Sequence, residues 1–184
     1  MKVLKILLIV LGLFIAIVVI AYAFIGGFAK IDIQEKQTGG EVLVYQEMTG
    51  DYSKSALVMD QVYNTLLNDF KIETTKGFGE YYDNPAVVEK EKLRSDIGCI
   101  LEPKDTGRVA ELEGKFKIKS CPEGNYIVTE FPFKSKLSVF VGIMRVYPAI
   151  NKYIKEKGYS EEGSIMEIYD VPKKKIIYRK QINK

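Results

Sequence analysis

The sequence predicts an α+β fold: a duplicated strand–helix–strand–strand unit forming an antiparallel sheet with two helices on one face, preceded by one transmembrane helix. Three observations carry this. An uncharged apolar run opens the chain, a strand followed by an amphipathic helix recurs in the second half, and the pattern E-x-Y-D-x-P occurs once in each copy.

The apolar run extends from Ile6 to Ala29, 24 positions without a charged side chain. As a helix it spans roughly 36 Å, enough to cross a hydrocarbon core about 30 Å thick with some tilt. Lipid offers the backbone no partners, so such a run must be helical. Residues 1–29 are therefore read as an N-terminal anchor, 30–40 as a polar linker ending in Gly39-Gly40, and 41–184 as one folded domain. A cleaved signal peptide is the competing reading, with Lys2 and Lys5 as its basic start and Ala21-Tyr22-Ala23 as its cleavage site. The length of the run and its continuation through Phe24, Ile25 and Phe28 favour the anchor. Lys2 and Lys5 on one side are matched by Lys30 and Lys36 on the other, so charge does not orient the span. A short tail before a long domain favours a single-pass protein of the cell membrane, N-terminus cytoplasmic and domain outside. Apolar surface is expected to be confined to the anchor, leaving 30–184 soluble and monomeric.

The whole chain has 27 basic and 24 acidic residues, and removing Lys2 and Lys5 leaves 25 against 24, a charge of +1. That balance excludes a sequence-independent nucleic-acid binder, which needs a concentrated basic surface. Lys173-Lys174-Lys175 follows Pro172 between two strand-like segments and reads as a solvated hairpin turn.

Laid on itself at an offset of 84, the chain puts the strand-like run Glu41–Gln46 on Asn125–Glu130. The same offset puts Val62 on Val146, Leu66 on Ile150 and Phe70 on Ile154, each series with the spacing of one helical face. At an offset of 87, Glu80-Tyr81-Tyr82-Asp83-Asn84-Pro85 falls on Glu167-Ile168-Tyr169-Asp170-Val171-Pro172. A further strand follows each copy, at 96–101 and 175–180, and Phe116-Lys117-Ile118 reads as a short extra strand between the halves. Pro148 lies inside the second helical pattern, which predicts a kink there or a regular helix that starts near it.

Alternation along the second motif puts Ile165, Glu167 and Tyr169 on one face and Met166, Ile168 and Asp170 on the other; the motif alignment equates the former set with Phe78, Glu80 and Tyr82. Each half thus offers a carboxylate beside a tyrosine, on a solvated face or in a pocket that raises its pKa. Gly77 and Gly79 leave little bulk around Glu80, so that carboxylate is expected to stay hydrated, whereas Ile165, Met166 and Ile168 favour desolvation of Glu167. The chain has no histidine, which excludes Ser–His–Asp and Cys–His catalysis and His-ligated metal sites. Cys99 and Cys121 lack metal-ligand spacing; whether they pair or are two small half-buried residues stays open. No phosphate-cradling glycine loop is present, and no cofactor is implied.

Tyr81-Tyr82-Asp83-Asn84-Pro85, followed by Lys92-Leu93-Arg94-Ser95-Asp96, resembles the signature of the GyrI-like small-molecule-binding family, and Met166-Glu167-Ile168-Tyr169 resembles its second signature. That family is related to effector-binding domains of bacterial transcription regulators and to the haem-binding SOUL group, so the resemblance also suggests a bacterial source. It covers about residues 41–182 and implies a cleft between the halves, lined by aromatic rings, with Glu167 at its floor. The chain departs from the pattern at Phe131-Pro132-Phe133-Lys134-Ser135, where many relatives have a histidine–glycine–aromatic segment. The expected function is a membrane-tethered domain that binds an apolar, aromatic or cationic small molecule, with Glu167, Tyr45, Tyr82, Tyr126 and Tyr169 as ligand-binding residues. The alternatives are a hydrolase of small electrophiles or esters using Glu167 as general base, and a non-catalytic partner-binding domain of the cell envelope.

Overall fold

The computed structural model describes residues 2–183. Its first element, α1 (Lys2–Phe24), is a helix with no buried residue, long and apolar enough to cross a membrane; a signal sequence near an N-terminus meets the same description. Eight strands then form one sheet: β1 (Gln34–Thr38), β2 (Val42–Thr49), β3 (Lys76–Tyr81), β4 (Arg94–Ile100), β5 (Lys117–Ser120), β6 (Gly124–Pro132), β7 (Ile165–Asp170) and β8 (Lys175–Gln181). Two long helices, α2 (Ser55–Phe70) and α4 (Lys136–Lys157), share one face of it, and a one-turn helix, α3 (Val109–Leu112), joins the halves. The strand order is β1-β6-β8-β7-β3-β4-β2-β5, with every pair antiparallel. The halves β2-α2-β3-β4 and β6-α4-β7-β8 meet at the β3–β7 pair, and the order reads the same from either end. The α+β class and the duplication stand.

Three local expectations change. The polar linker at 30–40 contains β1, an edge strand paired with β6 from Gln34 on Val128 to Thr38 on Gly124. Its residues read as linker because an edge strand is held by backbone hydrogen bonds and keeps polar side chains outward. The preceding Ala29, Ile31 and Ile33 pack on the core beneath α4, so the domain starts close behind α1. Second, α4 does not start near Pro148 but includes it, running from a capping box at Ser135 and Ser138 to Gly158, whose φ of 68° ends it. Third, the motif alignment is one residue out of phase. Gly79 pairs with Glu167 and Glu80 with Met166, so the two carboxylates project from opposite faces of the sheet.

On the helix face, Val62 and Leu66 of α2 pack with Val44, Ile72, Cys99 and Leu101, while Val146, Ile150 and Ile154 of α4 pack with Ile127, Phe131, Ile165, Ile176 and Tyr178. On the other face the sheet curls until Tyr45 and Leu43 of β2 share a core with Tyr126 and Val128 of β6, together with Phe78, Met166 and Ile168. Arg179 donates from Nη1 to Glu41 Oε1 at 2.7 Å across this closure. The two thiols are free and buried on opposite faces, Cys99 with α2 and Cys121 within the curl. Burial pushes the Cys99 thiol up to about 11.

Glu80 belongs to the curled face, where its side chain is 17% exposed and engaged by polar partners. Lys119 donates to its Oε2 at 2.7 Å and also binds Asp96, Ser164 Oγ donates to its Oε1 at 2.5 Å, and Tyr82 donates to Asp96 Oδ2 at 2.7 Å. Burial alone would lower the Lys119 pKa, but hydrogen bonds from its ammonium to Asp96 and Glu80 raise it instead. This cluster ties the edge strand β5 to β3 and β4. Lys119→Ala strands two carboxylates and should cost about 2–3 kcal/mol, less than the roughly 3–5 of a fully buried pair because the Lys119 side chain is 27% exposed. Chemical denaturation measures it; a loss no larger than that of an exposed ion pair contradicts the structural role.

Candidate functional site

Between α2 and α4, over the middle of the sheet, lies an open groove of about 1610 Å³. Small-molecule clefts commonly hold about 300–1,000 Å³, so this one admits a bulky or elongated compound. Its floor is β7 and β3, with Glu167, Tyr169, Ile165, Gly77 and Tyr81. Met59 and Tyr63 of α2 form one wall, and Val139, Phe140, Ile143 and Tyr147 of α4 the other. The walls stand apart because each helix packs its buried stripe on its own half of the sheet, leaving the β3–β7 seam uncovered.

Glu167 sits at the centre of that seam and is only 1% exposed. Tyr147 donates to its Oε1 at 2.8 Å and Tyr169 to its Oε2 at 2.6 Å. Burial raises the Glu167 pKa, and the two phenol donors offset this in part. Burial, and after it the negative charge of Glu167, holds the Tyr147 and Tyr169 hydroxyls well above the usual phenol range, so both remain donors. Each carboxylate oxygen uses one acceptor site on a tyrosine and keeps capacity for another. Among the described residues, Glu167 forms no ion pair with a lysine or arginine. A buried carboxylate held by neutral donors presents uncompensated negative potential to whatever enters the groove.

Sequence pattern explains why there is room for this arrangement. Beside Glu167 in the sheet lie Tyr178 of β8 and Gly79 of β3. A Cβ on Gly79 would lie 2.7 Å from the Tyr81 hydroxyl, so the glycine lets the Tyr81 ring fold back along the floor next to Glu167. Gly142 does the same for Tyr178, whose hydroxyl lies 2.4 Å from where its Cβ would be. Tyr52 stacks edge-on against Tyr81 at 4.8 Å and Phe133 against Tyr169 at 5.7 Å, extending the aromatic lining along the groove. At one end Lys180 is buried and donates to Glu162 O at 2.9 Å and Gly163 O at 2.8 Å, with its pKa lowered by burial.

Of the residues expected from sequence, the structure brings Glu167 and Tyr169 together on the floor. Tyr82 touches the groove rim, but its hydroxyl turns to Asp96 and Lys119 on the curled face. Tyr45 and Tyr126 lie on that opposite face, away from Glu167: Lys119 sits 4.6 Å over the Tyr45 ring, and Tyr126 donates to Pro122 O at 2.7 Å. Strand alternation separates them, because β2 and β6 turn these positions into the curl. Tyr81 and Tyr147 went unselected. Tyr81 was passed over through the one-residue phase error, whereas Tyr147 at offset 84 matches Tyr63 of the other groove wall, a signal present in the repeat.

Comparison with known proteins supports this frame. A family model described as "GyrI-like small molecule binding domain" matches residues 34–177. Human testis-expressed protein 264 is 39% identical over 83 residues, covering 42% of this chain and 26% of that protein; the mouse homologue is 37% identical, with 42% and 27% covered. The match thus spans about a quarter of these relatives' length, and their mammalian origin leaves the bacterial source suggested by the resemblance without support. Among solved structures, the EcmrR C-terminal domain has a TM-score of 0.57 at 10% identity, covering 84% of this chain and 98% of that one. SAV2435 bound to tetraphenylphosphonium has a TM-score of 0.55 at 13% identity, covering 83% and 94%. At such identities these structures show the shared fold alone. With the family model extending from β1 into β8, the chain belongs to the GyrI-like small-molecule-binding family.

Proposed function

We propose that the groove binds a bulky organic cation with aromatic or apolar substituents, and that Glu167 supplies its counter-charge. One observation carries this reading: a carboxylate 1% exposed, at the floor of an aromatic groove, whose hydrogen bonds come from neutral phenols. A cation above the floor meets that charge and the faces of Tyr81, Tyr147 and Tyr169, where each cation–π contact contributes about 0.5–2 kcal/mol. The ligand seen on SAV2435, a lipophilic phosphonium, has this chemistry and lends support to the class. In this reading Tyr82 is a rim residue, Tyr45 and Tyr126 belong to the structural curl, and α1 tethers the site to a bilayer.

Calorimetric titration of the full chain with tetraphenylphosphonium tests it. Saturable binding without turnover of aromatic esters is expected, and absence of binding overturns the reading. Affinity should also depend on pH. The folded pKa of Glu167 lies above its ordinary value of 4.5, and the cation prefers the ionised carboxylate. Binding therefore releases a proton, and affinity should fall as pH drops through that raised pKa. A flat profile across the acid range contradicts a role for the Glu167 charge.

A further inference from the structure

We infer that the end of the domain beside α1 is a bilayer-contact surface, formed by an apolar stripe on α4 and a flanking set of lysines, and that it rests on the membrane entered by α1. The first ground is the shortness of the connection. α1 ends at Phe24, and Gly26 is already fixed to the domain: Arg145 donates from Nη1 to Gly26 O at 2.8 Å. A Cβ on Gly26 would lie 2.8 Å from the Phe131 ring and 3.2 Å from Pro132, so the backbone is seated against the end of β6. Two residues of chain reach about 7 Å at most, which leaves no slack to hold the domain off the bilayer.

The second ground is what that end displays. α4 begins there, just after Pro132, and Leu137, Phe140 and Met144 recur along it at helical spacing, with Phe140 63% and Met144 77% exposed. Exposed apolar surface is thus not confined to the anchor. The hairpin between β7 and β8 lies alongside, since Phe133 donates to Lys174 O at 2.8 Å, and it adds exposed Val171 and Pro172. Exposed Lys134, Lys136, Lys173 and Lys174 surround these apolar groups, and among them Lys173 has an acidic neighbour, Asp170 at 3.7 Å. Exposed apolar side chains flanked by lysines are the composition of a surface that dips into an anionic headgroup layer. Lys136, Phe140, Val171 and Pro172 also line the groove, so the two surfaces adjoin, but the inference requires no ligand in the groove.

The chain contains no tryptophan, so one can be introduced as a lone reporter. Full-length Phe140→Trp and Val87→Trp would each be reconstituted in phosphatidylcholine–phosphatidylglycerol vesicles with brominated acyl chains. Val87 is 80% exposed in the connection between β3 and β4, at the other end of the sheet. The expected result is blue-shifted, bromine-quenched emission from Phe140→Trp and unquenched, water-like emission from Val87→Trp. Weaker quenching at Phe140→Trp is expected when phosphatidylglycerol is omitted. Equal emission from the two variants overturns the inference, as does failure of the chain to float with vesicles because α1 has been removed. A blue shift at Phe140→Trp without bromine quenching also overturns it, since protein, such as a second copy of this chain, would then cover the stripe.

Discussion

Glu167→Gln is expected to weaken tetraphenylphosphonium binding by about 2–5 kcal/mol, roughly 30-fold or more, because it removes a desolvated counter-charge. The same variant should not lose stability at neutral pH. Glu167 has a raised folded pKa, so its protonation favours the native state below the unfolded value near 4.5, and that contribution is lost as pH rises through the folded pKa. A neutral amide of the same shape is free of the cost of burying charge. Glu80→Gln should behave in the opposite way. It leaves the groove untouched, since Glu80 faces the curl, but it weakens the Lys119–Asp96 cluster and lowers the denaturation midpoint. The paired measurement therefore separates the two carboxylates by affinity on one side and stability on the other. Equal losses of affinity would show that the assignment to opposite faces has no functional meaning.

The second large effect is expected at Gly98, whose sheet partners Tyr45 and Phe78 belong to the curled face opposite the groove. This residue lies in β4 between Tyr45 of β2 and Phe78 of β3, which share the core inside the curl. A Cβ there would lie 2.0 Å from Val44 O and 2.7 Å from Tyr45 Cα, and both obstacles are backbone. No rotamer change relieves such a contact, so β2 must move away from β4 and the curl must open. Gly98→Ala should therefore cost about 3 kcal/mol or more, at the upper end of overpacking effects. Gly107→Ala serves as the comparison, because nothing lies within 4 Å of its added Cβ, and it should change stability by less than about 0.5 kcal/mol. Denaturant midpoints of the two variants decide the point. A loss at Gly98 no greater than at Gly107 would mean that the curl does not depend on close backbone approach.

Both predictions rest on positions that sequence reading approached from different distances. Helix register was legible because Val62, Leu66, Val146 and Ile150 repeat at a spacing that only a buried helical stripe requires, and all four are buried. Desolvation of Glu167 was legible in its apolar neighbours Ile165, Met166 and Ile168, and the structure buries that carboxylate, whereas its place at a cleft floor beside Tyr169 followed only from the resemblance to the GyrI-like family. The edge strand β1 was not legible, because a strand of polar residues held by backbone pairing and by tyrosine hydrogen bonds to Glu35 leaves no hydrophobic alternation to read. Nor was the role of Tyr81, which hangs on Gly79 having no side chain in a neighbouring strand.

The sequence by itself therefore determined the apolar helix α1, the duplicated unit and the helix faces. These are local properties, written in periodicity and composition along one stretch of chain. Tertiary structure alone decided the strand register, and with it which tyrosines join Glu167 and which turn into the curl. The physical reason is the two-residue period of a strand: a slip of one position leaves composition nearly unchanged yet sends every side chain to the other face. Only the pairing of Gly79 with Glu167, fixed by contacts across the sheet, resolves that choice.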